Sequence, residues 1–360
     1  MKIWIKVLVG FCCVLALLLI ISAAGIHKLT EAENNFKKYR SMARQSNADG
    51  RVQANMLLTR LFAKDFIINP SDDSIAGVHA RAKQTLMMIE EARELADRPL
   101  YNNEISLLHD KLIGYIDSFE QVVVQNAIRD ELVLNTLDRL GPEMEKALTA
   151  MMETAYSNPT GSDAYWLSKT LRSLLLGRIY VAKYLVQNDE PSYQRAISEF
   201  AEMDASLQRL VERISSSPVV STREDRLAQA TNIVNLRKSY VDAFDAVYAS
   251  ISIRNDIIQN RMDKIGPEVA DTLEQLKLAI KSEQDTLGPQ LEASIEETTY
   301  FMTTLSVFAL LVGVIVSALI GRGVSLPIRS MTKVMKTLAK GDASIEVPGK
   351  DRADEIVEMA

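Results

Sequence analysis

The chain has 360 residues, of which 47% are hydrophobic and 24% charged, with a formal net charge of −6. That balance carries no electrostatic signature of nucleic-acid binding. The only cysteines are the adjacent Cys12 and Cys13, so the long polar middle can hold neither a disulfide nor a cysteine-ligated metal.

Residues 1–6 are short and basic, with Lys2 and Lys6. Residues 7–26 carry no charge, and about 20 such residues cross roughly 30 Å of hydrocarbon as a helix. Ser22-Ala23-Ala24 would also suit signal-peptide cleavage, but the apolar run exceeds a usual signal core, which favours a retained anchor. A helical pattern follows to Ile68, with Val52, Met56, Phe62, Ala63 and Phe66 recurring at steps of three, four and seven. Asn69-Pro70-Ser71 ends it, and a second helix reads from Ser74 to about Ala96. A third runs from Leu100 to Tyr156, a fourth from Asp163 to Gln187, and a fifth from Ser192 to Ile214. The sixth continues from about Thr222 into a second uncharged stretch at 300–320. Gly141-Pro142, Gly266-Pro267 and Gly288-Pro289 lie inside these long helices and predict kinks, because proline removes a ladder bond. No stretch alternates as a strand.

The middle repeats itself. Residues 129–148 and 254–273 share seven of 20 positions, including Arg129/Arg254 and Gly141-Pro142/Gly266-Pro267. Arg60 with Ala63-Lys64 and Arg178 with Ala182-Lys183 repeat before the two proline turns. At about 1.5 Å per residue, helices of about 40, 22, 57 and 78 residues place four helices side by side at two successive heights. The expected fold is therefore all-α: two transmembrane helices flank an extracytoplasmic region, residues 27–299, built as two stacked four-helix bundles. Acids precede the second span and Arg322, Arg329, Lys333, Lys336 and Lys340 follow it, so the positive-inside rule puts both termini in the cytoplasm and residues 27–299 outside, in the periplasm of a Gram-negative cell.

After the second span come Pro327 at the head of an amphipathic helix, a loop of about 14 residues, and Asp354-Glu355-Ile356 opening another helix. Residues 321–360 thus resemble an incomplete HAMP domain, with Pro327, Asp354 and Glu355 as its signature and Val357 where glycine is usual. Two spans, the repeated helical region and the HAMP outline together resemble a bacterial methyl-accepting chemotaxis protein, and Tyr39 to Ile67 is similar to the first helix of the helical bimodular sensor family. The resemblance implies an inner-membrane, multi-pass homodimer in higher-order arrays, with a periplasmic domain that binds small organic acids. It also implies an output domain beyond Ala360 that acts on a downstream kinase and adaptor. A histidine kinase or a diguanylate cyclase uses the same front end and remains the alternative.

A bundle that binds carboxylates needs arginines between its helices, because the planar guanidinium binds a carboxylate with two bonds. Arg44, Asn47, Arg51 and Asn55 share one face of the first helix, and with Arg60, Arg254 and Arg261 they form the membrane-proximal candidates. Arg129 and Arg178 are the membrane-distal ones. A solvated face is the competing explanation for the stripe. His27, His79 and His109 are scattered, and no catalytic set, metal cluster or cofactor motif is expected.

Overall fold

The computed structural model describes residues 2–95, 99–156 and 162–341, together with residues 355 and 357. Among them there is no strand. Helices follow one another: α1 (Ile3–Ile68), α2 (Asp72–Glu94), α3 (Pro99–Leu132), α4 (Asp138–Tyr156), α5 (Ser162–Gln187), α6 (Glu190–Ser215), α7 (Val220–Ile257), α8 (Asp263–Ile320) and α9 (Leu326–Leu338). They group into two compact units, Met1–Gly50 with Gln275–Ala360, and Arg51–Glu274.

In the first unit, α1 and α8 each contain a stretch long and apolar enough to cross a membrane. Their apolar side chains point outward: Phe11, Leu19, Phe308 and Leu310 are all more than half exposed, the arrangement expected where the solvent is lipid. α9 begins at Pro327, whose fixed φ suits a first helical turn, and buries Met331. The Glu355 carboxylate accepts from the Ile3 backbone N–H at 2.6 Å, capping the start of α1. Asp354 lies outside the described residues.

In the second unit, local chemistry sets the turns. Ser71 accepts from the Ser74 N–H and, with Asp72 and Asp73 behind it, opens α2. Asn188, at φ 52°, adopts the left-handed conformation that stops α5, and Pro191 sits in the first turn of α6.

Two apolar cores form. One gathers around Phe119, which meets Phe66 edge-on at 5.4 Å, with Val52, Met56, Val78, Ile89, Leu108 and Leu112 also buried. The other gathers around Phe244, which meets Tyr184 edge-on at 5.7 Å; α4, α5, α6 and α7 supply its walls. Phe119 and Phe244 have no exposed surface, and emptying either site to alanine costs about 3–5 kcal/mol.

These cores are related residue by residue. Shifting by 118 carries Val52, Met56, Ala63 and Phe66 of α1 onto Thr170, Leu174, Val181 and Tyr184 of α5, all buried. Shifting by 125 carries Leu108, Tyr115, Phe119 and Val122 of α3 onto Ile233, Tyr240, Phe244 and Val247 of α7, again all buried. α3 and α7 run antiparallel past each other, and Gln125 meets its own equivalent there: its carbonyl accepts from Ser250 Oγ at 2.7 Å. A residue touching its own counterpart is the mark of a local two-fold relation.

The helices run on through Pro142, Pro267 and Pro289, and the irregularity that accompanies the first two lies upstream of them. π-helical turns at Val133–Leu137 and Ile258–Met262 end five residues before Pro142 and Pro267. Each closes with a bond spanning five residues, from Asp138 N–H to Val133 O and from Asp263 N–H to Ile258 O. A proline crowds the carbonyl four residues back, and a widened turn upstream relieves that while keeping the helix going. A third π turn, Gly321–Ser325, precedes Pro327. Pro289 passes through α8 with no such turn.

Candidate ligand site

Where α3 and α7 cross, Arg129 and Arg254 come together. They are repeat equivalents, yet their surroundings differ. Arg129 is partly exposed and turns its fork onto its neighbour Asp130, with Nη2 at 2.6 Å and Nε at 2.8 Å. Arg254 is only 8% exposed. The residue after it is Asn255, an amide where the first copy has Asp130. Arg254 donates from Nη2 at 2.9 Å and Nε at 3.2 Å to Asn255 Oδ1, and from Nη1 to Asn126 Oδ1 at 3.2 Å. No carboxylate of the described residues pairs with it.

The electrostatics reflect that difference. Burial pulls the Arg254 pKa down and Arg129 pulls it further, while Tyr184 and Asp130 push it up. A guanidinium has five donors, so three bonds to amides leave one N–H on each terminal nitrogen. Burying a charge without an opposite partner is costly, and a bound anion removes that cost. A carboxylate fits the two remaining donors as a fork.

Polar atoms gather nearby. Tyr184 lies within the fields of Arg254, Asp189, Glu190 and Tyr248, and burial first, then those groups on balance, push its hydroxyl to about 12. Asn126 Nδ2, Asn188 Oδ1, Asp189 Oδ1 and Ser192 Oγ are buried with no hydrogen-bond partner in the protein. Tyr193 stacks on Tyr248 with ring centres 3.9 Å apart; their hydroxyls donate to Asp245 and Glu190.

Arg60 and Arg178 form a second repeated arrangement. A Cβ built on Gly141 would lie 2.7 Å from Arg178 Nε, and one on Gly266 closer still to Arg60 Nε. Glycine leaves room for each guanidinium to lie against the neighbouring helix, and a Cβ there would push the arginine aside. Tyr115 feels Arg60 and Asp263; Tyr240 feels Arg178 and Asp138. Arginine, tyrosine, aspartate and glycine thus recur as a clasp in both cores.

The other sequence candidates have other surroundings. Arg44 and Asn47 are exposed on α1. Arg51 is exposed and pairs with Glu91 at 2.9 Å. Asn55 is half-buried, donating to the Arg51 carbonyl and Met88 Sδ. Arg261 is exposed, with Nη1 3.4 Å from Gln121 Oε1. Asn126, Asn255, Tyr184, Tyr115 and Tyr240 escaped the sequence reading. Asn255 stood in the repeat itself, at a position where the two copies differ. Comparison with family models and with curated proteins finds no match for the chain.

Proposed function

We propose that this chain is the sensory front end of a bacterial transmembrane chemoreceptor. In this reading, residues 27–299 form two stacked four-helix bundles in the periplasm and bind a small organic acid. The observation that carries it is Arg254: a buried guanidinium held by amides, at the position whose repeat equivalent has its own carboxylate. A ligand carboxylate at Arg254 supplies the missing charge.

Binding there favours one packing of α3 against α7 over another, by the difference in the ligand's affinity for the two. Helix α8 follows Arg254 after a single π turn and leads to α9, the proposed first HAMP helix. A displacement of an ångström or two along that path is of the size that switches packed helices. The chain acts as a homodimer in the inner membrane, with its C-terminal side in the cytoplasm facing a kinase-controlling output.

Isothermal titration of the full chain in detergent against mono-, di- and hydroxy-carboxylates tests this. Saturable binding of at least one acid, lost in Arg254→Gln, is the expected outcome. A flat response across the panel overturns the direct-sensor reading.

A further inference from the structure

Arg254 leaves a cation unmatched, and the turn between α5 and α6 leaves an anion unmatched beside the same core. Asp189 stands at the N-cap of α6, where an aspartate ordinarily accepts from the first N–H groups of the helix, yet its side chain makes no such bond. Its Oδ1 is buried with no hydrogen-bond partner, and no cation of the described residues pairs with it. Two neutral acceptors join it: Asn188 Oδ1 and Ser192 Oγ are likewise buried without a partner, and Ser192 is only 1% exposed. Tyr184 ties the two places together. Its ring centre lies 5.8 Å from that of Tyr248, on the helix that carries Arg254, and 5.9 Å from that of Tyr193, which follows Ser192. Its hydroxyl lies within the fields of both Arg254 and Asp189. On the Arg254 side the free groups are donors: the two remaining guanidinium N–H groups, and Asn126 Nδ2, whose own oxygen accepts from Arg254. On the turn side they are acceptors, and one is charged.

We infer that the ligand is an aminocarboxylate, a zwitterion whose carboxylate sits at Arg254 and Asn126 and whose ammonium donates to Asp189, Asn188 and Ser192. The inference rests on the proposed seating of an acid at Arg254 and adds the other end of the molecule. An ammonium has three N–H donors and no acceptor, which matches three acceptors at the turn. A hydroxyl has one donor and leaves two of them unmet. A second carboxylate would meet Asp189 as a like charge, which opposes binding. A buried acceptor without a partner is costly, and a charged one more so, so the ligand that satisfies all three gains most. A zwitterion also neutralises the buried cation and the buried anion together, and brings no net charge into the core.

The test is isothermal titration of the full chain in detergent with matched pairs that share a carbon skeleton: alanine and lactate, phenylalanine and phenyllactate, β-alanine and 3-hydroxypropionate. In at least one pair the amine is expected to bind about tenfold tighter than its hydroxyl partner, the weight of one charge-assisted hydrogen bond. Asp189→Asn keeps the shape and removes the charge, and should bring the amine down to the level of its hydroxyl partner. Ser192→Ala should weaken the amine about threefold and leave the hydroxyl partner unchanged. It becomes the deciding variant if circular dichroism shows Asp189→Asn unfolded. Arg254→Gln should abolish binding of both. Hydroxyl partners that match their amines in every pair, or a preference that survives the deciding variant undiminished, overturn the inference and leave the acid site at Arg254 standing. Binding of no compound, or amine binding undiminished in Arg254→Gln, overturns both readings.

Discussion

Arg129 and Arg254 begin from the same repeated sequence and end in opposite electrostatic states. Arg129 carries its counter-ion beside it in Asp130; Arg254 has the amide of Asn255 in that place. Their wider settings diverge in the same direction. Asn126, which accepts from Arg254, corresponds to Ile251, and Tyr184 in the field of Arg254 corresponds to Phe66. The framework around them is conserved between the copies: the buried phenylalanines, the clasps and the π turns all recur. Packing recurs in the two copies, then, while the groups beside the two arginines differ in polarity. A difference at a buried charge points to a site, because packing alone gives no reason for a guanidinium to lack a carboxylate.

The sharpest way to break the comparison is to make the two halves alike. Asn255→Asp gives Arg254 the carboxylate that Arg129 already has. Competition from that internal acid should weaken binding of an organic acid by about 100-fold, within the range for buried charge pairs. Asn255→Ser keeps the position neutral and should keep affinity within about threefold of wild type. Isothermal titration of both variants reads the outcome. Unchanged affinity in Asn255→Asp would place the ligand away from Arg254.

Much of this was legible in the sequence and some was not, for physical reasons. The all-helical character, both apolar spans and the 125-residue repeat follow from periodicity and composition. Periodicity also put Arg44, Asn47, Arg51 and Asn55 on one stripe, but spacing alone does not say what faces a stripe. Arg44, Asn47 and Arg51 prove exposed, with Arg51 spent on Glu91. Arg129 and Arg254 are shared between the copies, whereas the informative position is the unshared one beside them, Asp130 against Asn255. Tyr115 and Tyr240 lie before the aligned segments, and extending the same 125-residue offset upstream would have paired them along with Phe119 and Phe244. The π turns leave no mark of their own in composition: proline announces a disturbed helix, and where the helix widens depends on which carbonyl must move.

The clasps are where the two copies should behave alike. Arg60→Ala and Arg178→Ala each strip a guanidinium and its stem from a glycine surface and a tyrosine. Each should lower stability by about 1–2 kcal/mol through lost packing. Urea midpoints of the two variants should shift by similar amounts, and the double variant should show near-additive loss because the clasps belong to different cores. A large inequality would mean that only one clasp supports its core.

A smaller effect is expected from Asp130→Asn, the reverse of the first substitution. Asp130 is half-exposed, so losing its pair with Arg129 should cost no more than about 1 kcal/mol. Arg129 would then be held by an amide, as Arg254 is. If counter-ion identity is what distinguishes the halves, a second, weaker binding event should appear in titrations of this variant. If stoichiometry stays unchanged, the distinction lies in Asn126 and Tyr184, which have no polar counterpart on the Arg129 side.

The mildest test is pH. Burial is the leading cause that raises the hydroxyls of Tyr115, Tyr184, Tyr193 and Tyr240, with Tyr184 and Tyr240 pushed to about 12. An unfolded tyrosine releases its proton near 10. Between those values the folded chain holds protons that the unfolded chain has lost. The stabilisation is therefore complete below about pH 10 and is lost as pH rises towards 12. Both cores carry such a tyrosine at equivalent positions, Tyr115 and Tyr240, each beside an arginine that opposes the rise. Urea unfolding followed across this window should show stability falling with pH in the wild type and falling less steeply in Tyr240→Phe. Tyr115→Phe should flatten the curve to a comparable degree if the two clasps are electrostatically alike. A profile unaffected by either substitution would show that neither hydroxyl is shielded from water in the folded chain.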